Sequence, residues 1–349
     1  MSIQENGGAF NVAQLQAQGS ESIQQSPLRG PEIINTENFT MTLGSRLQVR
    51  YNYLERDNDS SVSNFSIRRA RFSLGGRAYE HFGYAMQLEL AGSSVKILDA
   101  NVRYQLAPFA TFWAGQGKAF FGRQQLNSSG NLNFVDRTLV DGRFSAGRQA
   151  GIALIGKNDS ETFEYNLGIY NGTGINTPNP NNKHMFVARV VLTPLGAYSP
   201  VESAHDYPDS PLFAIGASGL HTFTGTGPNE TKINRLNIEG AFKIKGWNTT
   251  SELYLEEAMP VGDDRFTTTG WYIQSGFLFP NRRNEIALRY GIISPNNVPL
   301  NSDVIEIGGS VSHYILQHRA KIQADIRNVE RKALNTNNPE FRLQLQLTL

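Results

Sequence analysis

From Phe39 to the last residue the chain alternates apolar and polar side chains with a period of two. In the first stretch Phe39, Met41, Leu43, Leu47, Val49, Tyr51 and Tyr53 share one parity, and Thr40, Thr42, Arg46, Gln48, Arg50 and Asn52 the other. The last stretch is the most regular: Phe341, Leu343, Leu345, Leu347 and Leu349 alternate with Arg342, Gln344, Gln346 and Thr348. A period of two sends successive side chains to opposite faces of a strand, so each segment has one apolar and one polar face. About sixteen such segments can be drawn, at 39–53, 65–80, 82–92, 96–106, 109–119, 147–157, 162–171, 184–194, 211–222, 233–245, 247–257, 267–279, 283–293, 302–314, 316–328 and 339–349. Most run to about 10–14 residues, where strands of soluble sheets favour about 5 or 6. A strand tilted by about 45° crosses a bilayer in roughly 9–11 residues, so these lengths suit a membrane wall.

The connections alternate as well. Links after odd strands are mostly long and polar, as at 54–64, 120–146, 172–183, 223–232, 258–266 and 329–338; links after even strands are mostly tight, as at Ala107-Pro108, Gly246 and Leu316-Gln317. One even link, 194–211, is long, and nothing in the pattern explains it. Short turns at one rim and long loops at the other mark outer-membrane barrels, and an even strand count puts both termini on the short-turn, periplasmic side. Residues 1–38 are rich in Gln, Ser, Gly and Asn without periodicity, and are expected to be a flexible periplasmic arm, leaving 39–349 as the barrel. The arm has no basic stretch followed by an apolar core, so no signal peptide is expected in the chain as it stands.

Composition changes the picture only through this pattern. Hydrophobic residues make up 39% of the 349, and no apolar run approaches the roughly 20 residues of a membrane helix, which excludes helical spans. The 32 basic and 31 acidic residues give no global pull toward nucleic acid, and the absence of cysteine excludes disulfides and thiolate metal sites. A soluble sandwich or propeller would bury one parity in a dry core. Here nearly every strand carries large charges on its polar parity, which fits a wet lumen inside a closed, lipid-facing wall. The expected fold is therefore all-β, a transmembrane antiparallel barrel of about 16 strands.

Several stretches look like the phosphate-selective porin O and P family of trimeric bacterial outer-membrane channels. Gly115-Gln116-Gly117-Lys118-Ala119-Phe120-Phe121, then Asn127-Ser128-Ser129 and Phe134-Val135-Asp136-Arg137, resemble its passage from the fifth strand into an inward-folded third loop. Tyr170-Asn171-Gly172-Thr173-Gly174, the 187–194 strand, the 270–277 strand, Ala287-Leu288-Arg289-Tyr290 and the 318–325 strand follow in family order. The resemblance spans 39–349, with two departures: Ala119 stands where the family usually has proline, and the chain ends in Leu349 where such barrels usually end in an aromatic residue. It implies a passive channel for small hydrophilic solutes, a long loop 3 folded into the lumen, a homotrimer, and an outer membrane of lipid and lipopolysaccharide as surroundings.

If parity assigns faces, the inward basic set includes Arg46, Arg50, Arg69, Arg71, Arg77, Arg103, Lys118, Arg189, Arg235, Lys243, Lys245, Arg289, Arg319, Lys321, Arg327 and Arg342. The inward acidic set is smaller: Glu89, Asp99, Glu164, Glu239, Glu252, Glu256, Glu285, Glu306 and Asp325. The chain's +1 thus conceals a basic lumen, which enriches small anions and discourages cations. A second reading stays open, in which these arginines pair with lumen carboxylates and stiffen the wall. The 121–147 loop is the expected constriction, carrying Arg123, Asp136, Arg137, Asp141, Arg143 and, at its exit, Arg148, with Lys118 at its entry. The candidate pore-lining and anion-binding residues are Arg46, Arg50, Arg69, Arg71, Arg77, Lys118, Arg123, Arg137, Arg143 and Arg148, whose guanidinium forks suit phosphate and carboxylate.

Other chemistry is weak. The six histidines have no metal spacing, Gly115-x-Gly117-Lys118 lacks the rest of a phosphate-loop pattern, and no Ser/His pair stands out, so neither enzyme activity, cofactor nor metal is expected. Tyr51, Tyr53, Tyr104, Trp113, Trp247, Trp271 and Tyr290 are expected in interfacial girdles or packing. The expected function is a diffusion channel with mild anion preference, phosphate being one candidate. The alternative is a structural or adhesive barrel with a plugged lumen.

Overall fold

A computed structural model describes residues 30–57, 59–296 and 302–349, so most of the arm expected over 1–38 lies outside the described residues. A short strand β1 (Glu32–Asn35) precedes β2 (Thr40–Leu54), β3 (Val62–Ala78), β4 (Phe82–Glu89), β5 (Lys96–Ala107) and β6 (Ala110–Lys118). Two short helices, α1 (Arg123–Leu126) and α2 (Leu139–Phe144), lie in the following loop. Then come β7 (Arg148–Lys157), β8 (Phe163–Tyr170), β9 (Met185–Leu192), β10 (Leu212–Thr224), β11 (Thr231–Ile244), β12 (Trp247–Pro260), β13 (Phe266–Leu278), β14 (Asn284–Pro295), β15 (Val304–Leu316), β16 (Ala320–Arg331) and β17 (Thr336–Thr348).

Each strand from β2 to β17 pairs antiparallel with the next, and β17 returns to β2 with Leu345 opposite Val49 and Leu347 opposite Leu47. The result is a closed barrel of sixteen strands, β2 to β17. Closure leaves no edge amides that hydrocarbon could not satisfy. The sequence pattern sets the faces: Leu47, Val49, Leu343 and Leu345 point outward and are exposed, while Gln48, Arg50, Gln344 and Gln346 point inward and are buried. Outward aromatics gather toward both rims, with Tyr51 against Phe65 at one and Trp247 against Phe277 at the other. A charge on the lipid face near mid-height costs about 2–4 kcal/mol. Leu343→Arg, in the middle of β17, should therefore lower the unfolding free energy in bilayers by about that much, as a urea titration of tryptophan fluorescence would read.

Links at the far rim are shorter than the sequence pattern suggested. Residues 225–230, 261–265 and 332–335 suffice there, because polar residues such as Thr231, Lys232 and Glu257 extend the ladders beyond the apolar belt. Only 119–147 and 171–184 remain long at this rim among the described residues. At the near rim the links are tight except for 193–211.

Strand β1 runs along β2 in line with β17, starting where the C-terminus stops. Leu349 exchanges both backbone hydrogen bonds with Ser45 (3.0 and 3.1 Å), and the next amide along β2, that of Leu43, donates to Pro31 O at 3.1 Å. Gly30 sits so close that a Cβ there would lie 1.4 Å from Leu43 O.

Candidate permeation site

The loop between β6 and β7, 119–147, folds into the lumen, lies against the wall from β8 round to β17 and reaches β2 and β3. Part of that seat is dry. Phe120, Phe121, Leu126, Val140 and Phe144 of the loop pack with Trp113, Tyr170, Met185, Val187, Leu220, Tyr254, Tyr272 and Ile293 of the wall. Phe144 stacks on Tyr254 at 5.2 Å, and it fits because Gly270 has no Cβ, which would lie 2.2 Å from the ring. Of the two places expected for Trp113, girdle or packing, the structure shows packing: it is fully buried and faces inward. The lumen is correspondingly less wet than the alternation implied.

The rest of the seat is polar and directional. Glu252 accepts from the backbone amides of Arg123 (2.7 Å) and Gln124 (2.8 Å), Glu306 from that of Leu139 (2.7 Å) and Asp325 from that of Val135 (3.0 Å). Charge-assisted bonds of this kind are the strong class, and they offset part of the cost of burying a carboxylate. Acidic residues of the wall thus serve as anchors for a loop backbone. The long near-rim link has a matching explanation, since it too folds inward. Its Glu202 accepts from Asn133 N (3.0 Å) and Gln124 Nε2 (3.1 Å), while Glu202 N donates to Asn131 O (3.1 Å).

The predicted basic residues fall into several groups. Arg46 reaches Ser128 and Ser129 of the loop at 3.0 and 3.3 Å, and Arg71 binds Glu89 at 2.7 Å and Ser129 at 3.2 Å. Arg50 and Arg69 both grip Asp136 at 2.8 Å. Arg148 pairs with Asp99 at 2.9 Å. Arg77 stands nearer the short-turn rim and donates to Glu37 O at 3.4 Å. The other four are drawn into packing. Lys118 donates to the carbonyls of Leu126 and Asn127, both at 2.9 Å, and Arg137 to those of Gln124 (2.9 Å) and Asn127 (2.7 Å). Arg123 is buried 3.6 Å from Glu239, and Arg143 pairs with Glu256 on β12 at 2.5 Å.

One residue escaped the sequence reading. Parity places Arg68 outward, but the register of β2 and β3 shifts between Gln48 and Val49, and Arg68 also reaches Asp136, at 3.3 Å. Two consecutive arginines amid alternating residues were the available signal of this bulge. Asp136 therefore holds three guanidinium groups. Burial disfavours its charge, but Arg69, Arg50 and Arg68 outweigh that and hold its carboxyl well below the usual range.

Asp141 behaves oppositely. Burial pushes it up to about 7, with Arg137 opposing and Glu252 adding to the rise. A carboxyl raised on docking stabilises the docked loop below its free value of about 4 and withdraws that stability as pH climbs through the raised value. The amides of α2 should lose exchange protection, after correction for intrinsic rates, between about pH 4 and pH 7. Asp141→Asn should flatten that dependence.

A closed barrel with an anchored inward loop and a basic sector of wall is the build of an outer-membrane diffusion channel. The chain belongs to the phosphate-selective porin O and P family, whose model matches residues 39–218, and is placed in the bacterial outer membrane accordingly. Among solved structures it is similar to an anion-selective porin from Comamonas acidovorans, with 12% identity, TM-score 0.67, and coverage of 88% of this chain and 99% of that one. It also resembles the outer membrane channel DcaP of Acinetobacter baumannii, at 11% identity, TM-score 0.63, and coverage of 90% and 99%. A third is the trimer form of OmpT of Vibrio cholerae, at 10% identity, TM-score 0.59, and coverage of 88% and 99%. At these identities the likeness concerns the fold. No curated protein is matched.

Proposed function

We propose that this porin is a passive channel with a preference for small anions, assembled as a trimer with both termini in the periplasm. One observation carries the reading: wall carboxylates Glu252, Glu306 and Asp325 are engaged by the loop backbone. The arginines of β2 and β3 then stand where the loop meets the wall, Arg46, Arg50, Arg69 and Arg71 each bonding Ser128, Ser129 or Asp136 of the loop, with Arg103 on β5 and Arg148 on β7 beside them. Arg46, Arg77 and Arg103 form no salt bridge with a carboxylate among the described residues. Positive charge beside low-dielectric walls concentrates anions locally.

The lysines favour a general anion preference over one for phosphate. Lys243 and Lys321 donate to Ser199 O (3.1 Å) and Leu132 O (2.8 Å), as Lys118 does to its loop carbonyls, so their ammonium groups are spent on packing. Planar-bilayer recordings in a salt gradient should show stable steps whose reversal potential shifts toward the anion, with phosphate blocking chloride current only weakly. Silence from folded protein would instead support the plugged-barrel alternative, which the depth of loop packing favours. The trimer should run as one heat-labile band on an unheated gel, and a band at monomer mobility would count against it.

A further inference from the structure

The inward near-rim link, 193–211, ends in a cluster of rings that neither the fold nor anion passage requires. His205 meets Tyr314 edge to face at 4.4 Å and His318 at 5.2 Å, and Tyr314 and His318 lie 5.1 Å apart. Both ring nitrogens of His205 and Nε2 of His318 are shielded from solvent without a hydrogen-bond partner among the described residues. Nδ1 of His318 faces Lys321 Nζ at 3.0 Å, so a neutral ring can accept a hydrogen bond from the ammonium there.

We propose that 193–211 is a proton-released gate, docked in the lumen while His205 and His318 are neutral and expelled toward the near-rim mouth when they are protonated. This inference rests on the channel reading. Protonating His318 removes the acceptor from Lys321 and sets two cations side by side. The charged groups facing the pair include Lys321, Lys243, Arg282 and Arg46, with Asp206, Glu285 and Glu202 opposed to them. Those carboxylates are already occupied: Glu285 by the Tyr314 hydroxyl and Asn248, Asp206 by Lys243 at 3.8 Å, and Glu202 by the inward loop. New cations in the ring cluster would therefore go uncompensated.

The titration runs the same way. Burial, then Lys321 and Lys243, push His205 down to about 4, and burial, then Lys321 and His205, push His318 well below its ordinary value. Histidines lowered on docking stabilise the docked state above their free value of about 6.5, and that stability is lost as pH falls through the lowered values.

The test records the full-length porin in planar bilayers from pH 7 down to pH 4. Single-channel conductance should step upward on acidification, more steeply than a single proton allows, and His205→Phe with His318→Asn should abolish the step. Should that variant fail to fold, Asn131→Cys with Glu202→Cys introduces the only thiols in a chain without cysteine. Their disulfide should abolish the acid step, and reduction should restore it. A flat conductance over this range, or an acid step that persists in the bridged form, overturns the gate. Hydrogen exchange of 199–207 separates the two readings. If the protein never conducts, the channel reading fails, while acid loss of protection there still supports release and retained protection refutes it.

Discussion

Glu252→Ala should unseat the inward loop and raise single-channel conductance, with added flicker. Glu252 is 1% exposed and accepts five hydrogen bonds: from the amides of Arg123 and Gln124, from Asn237 Nδ2 at 3.1 Å, and from the hydroxyls of Tyr254 and Tyr272 at 2.9 and 2.7 Å. Alanine would leave those donors buried and unmatched, at about 1–3 kcal/mol each where the site cannot relax. Relaxation is cheapest on the loop side, because the two tyrosines and Asn237 belong to a closed sheet. The loss should therefore appear as undocking, costing about 2–6 kcal/mol of loop seating for the two loop amides left unmatched, with the barrel still heat-modifiable on gels. Glu252→Gln keeps one carbonyl oxygen and should fall between. Unchanged conductance in the alanine variant, with folding intact, would show that the aromatic cluster around Phe144 holds the loop by itself.

The largest change in selectivity is expected from replacing Arg46, Arg77 and Arg103 together with glutamine. Potentials of several kT in a low-dielectric cleft change local ion concentrations by about 10-fold or more. The anion-to-cation permeability ratio should accordingly fall by about an order of magnitude, read from the reversal potential in a salt gradient. Arg50→Gln with Arg69→Gln should do less. Those two side chains are 5% and 4% exposed and already share the carboxylate of Asp136. An equal shift from both sets would mean that net lumen charge alone governs selectivity, whatever its local pairing.

These arginines show where the sequence was legible and where it was not. The barrel could be read because a wall between lipid and water imposes one period on every strand, from Phe39 to Leu349. Faces failed where that period broke. The bulge near Gln48 and Val49 turned Arg68 inward, and the inner wall around Trp113 became apolar because it meets loop side chains instead of water. The pairing of Glu252 with the amides of 123 and 124 could not be anticipated, since it joins residues 128 and 129 positions apart through backbone groups that carry no sequence signature. The same holds for 193–211: its length was visible, but its inward path depends on Glu202 finding Asn133 across the lumen.

The meeting of β1 with the C-terminus has a consequence for assembly order. The bonds of Leu349 to Ser45 and of Pro31 to Leu43 lie side by side on one edge of β2. That edge is unoccupied until β17 arrives, so β1 and β17 read consecutive lengths of the same template. A closing strand that slipped by two residues toward the near rim would collide with Pro31, and one that slipped the other way would leave a gap beside Ser45. The upstream segment thus bounds the register of the seam, because Pro31 takes the position on β2 next to the one that Leu349 takes.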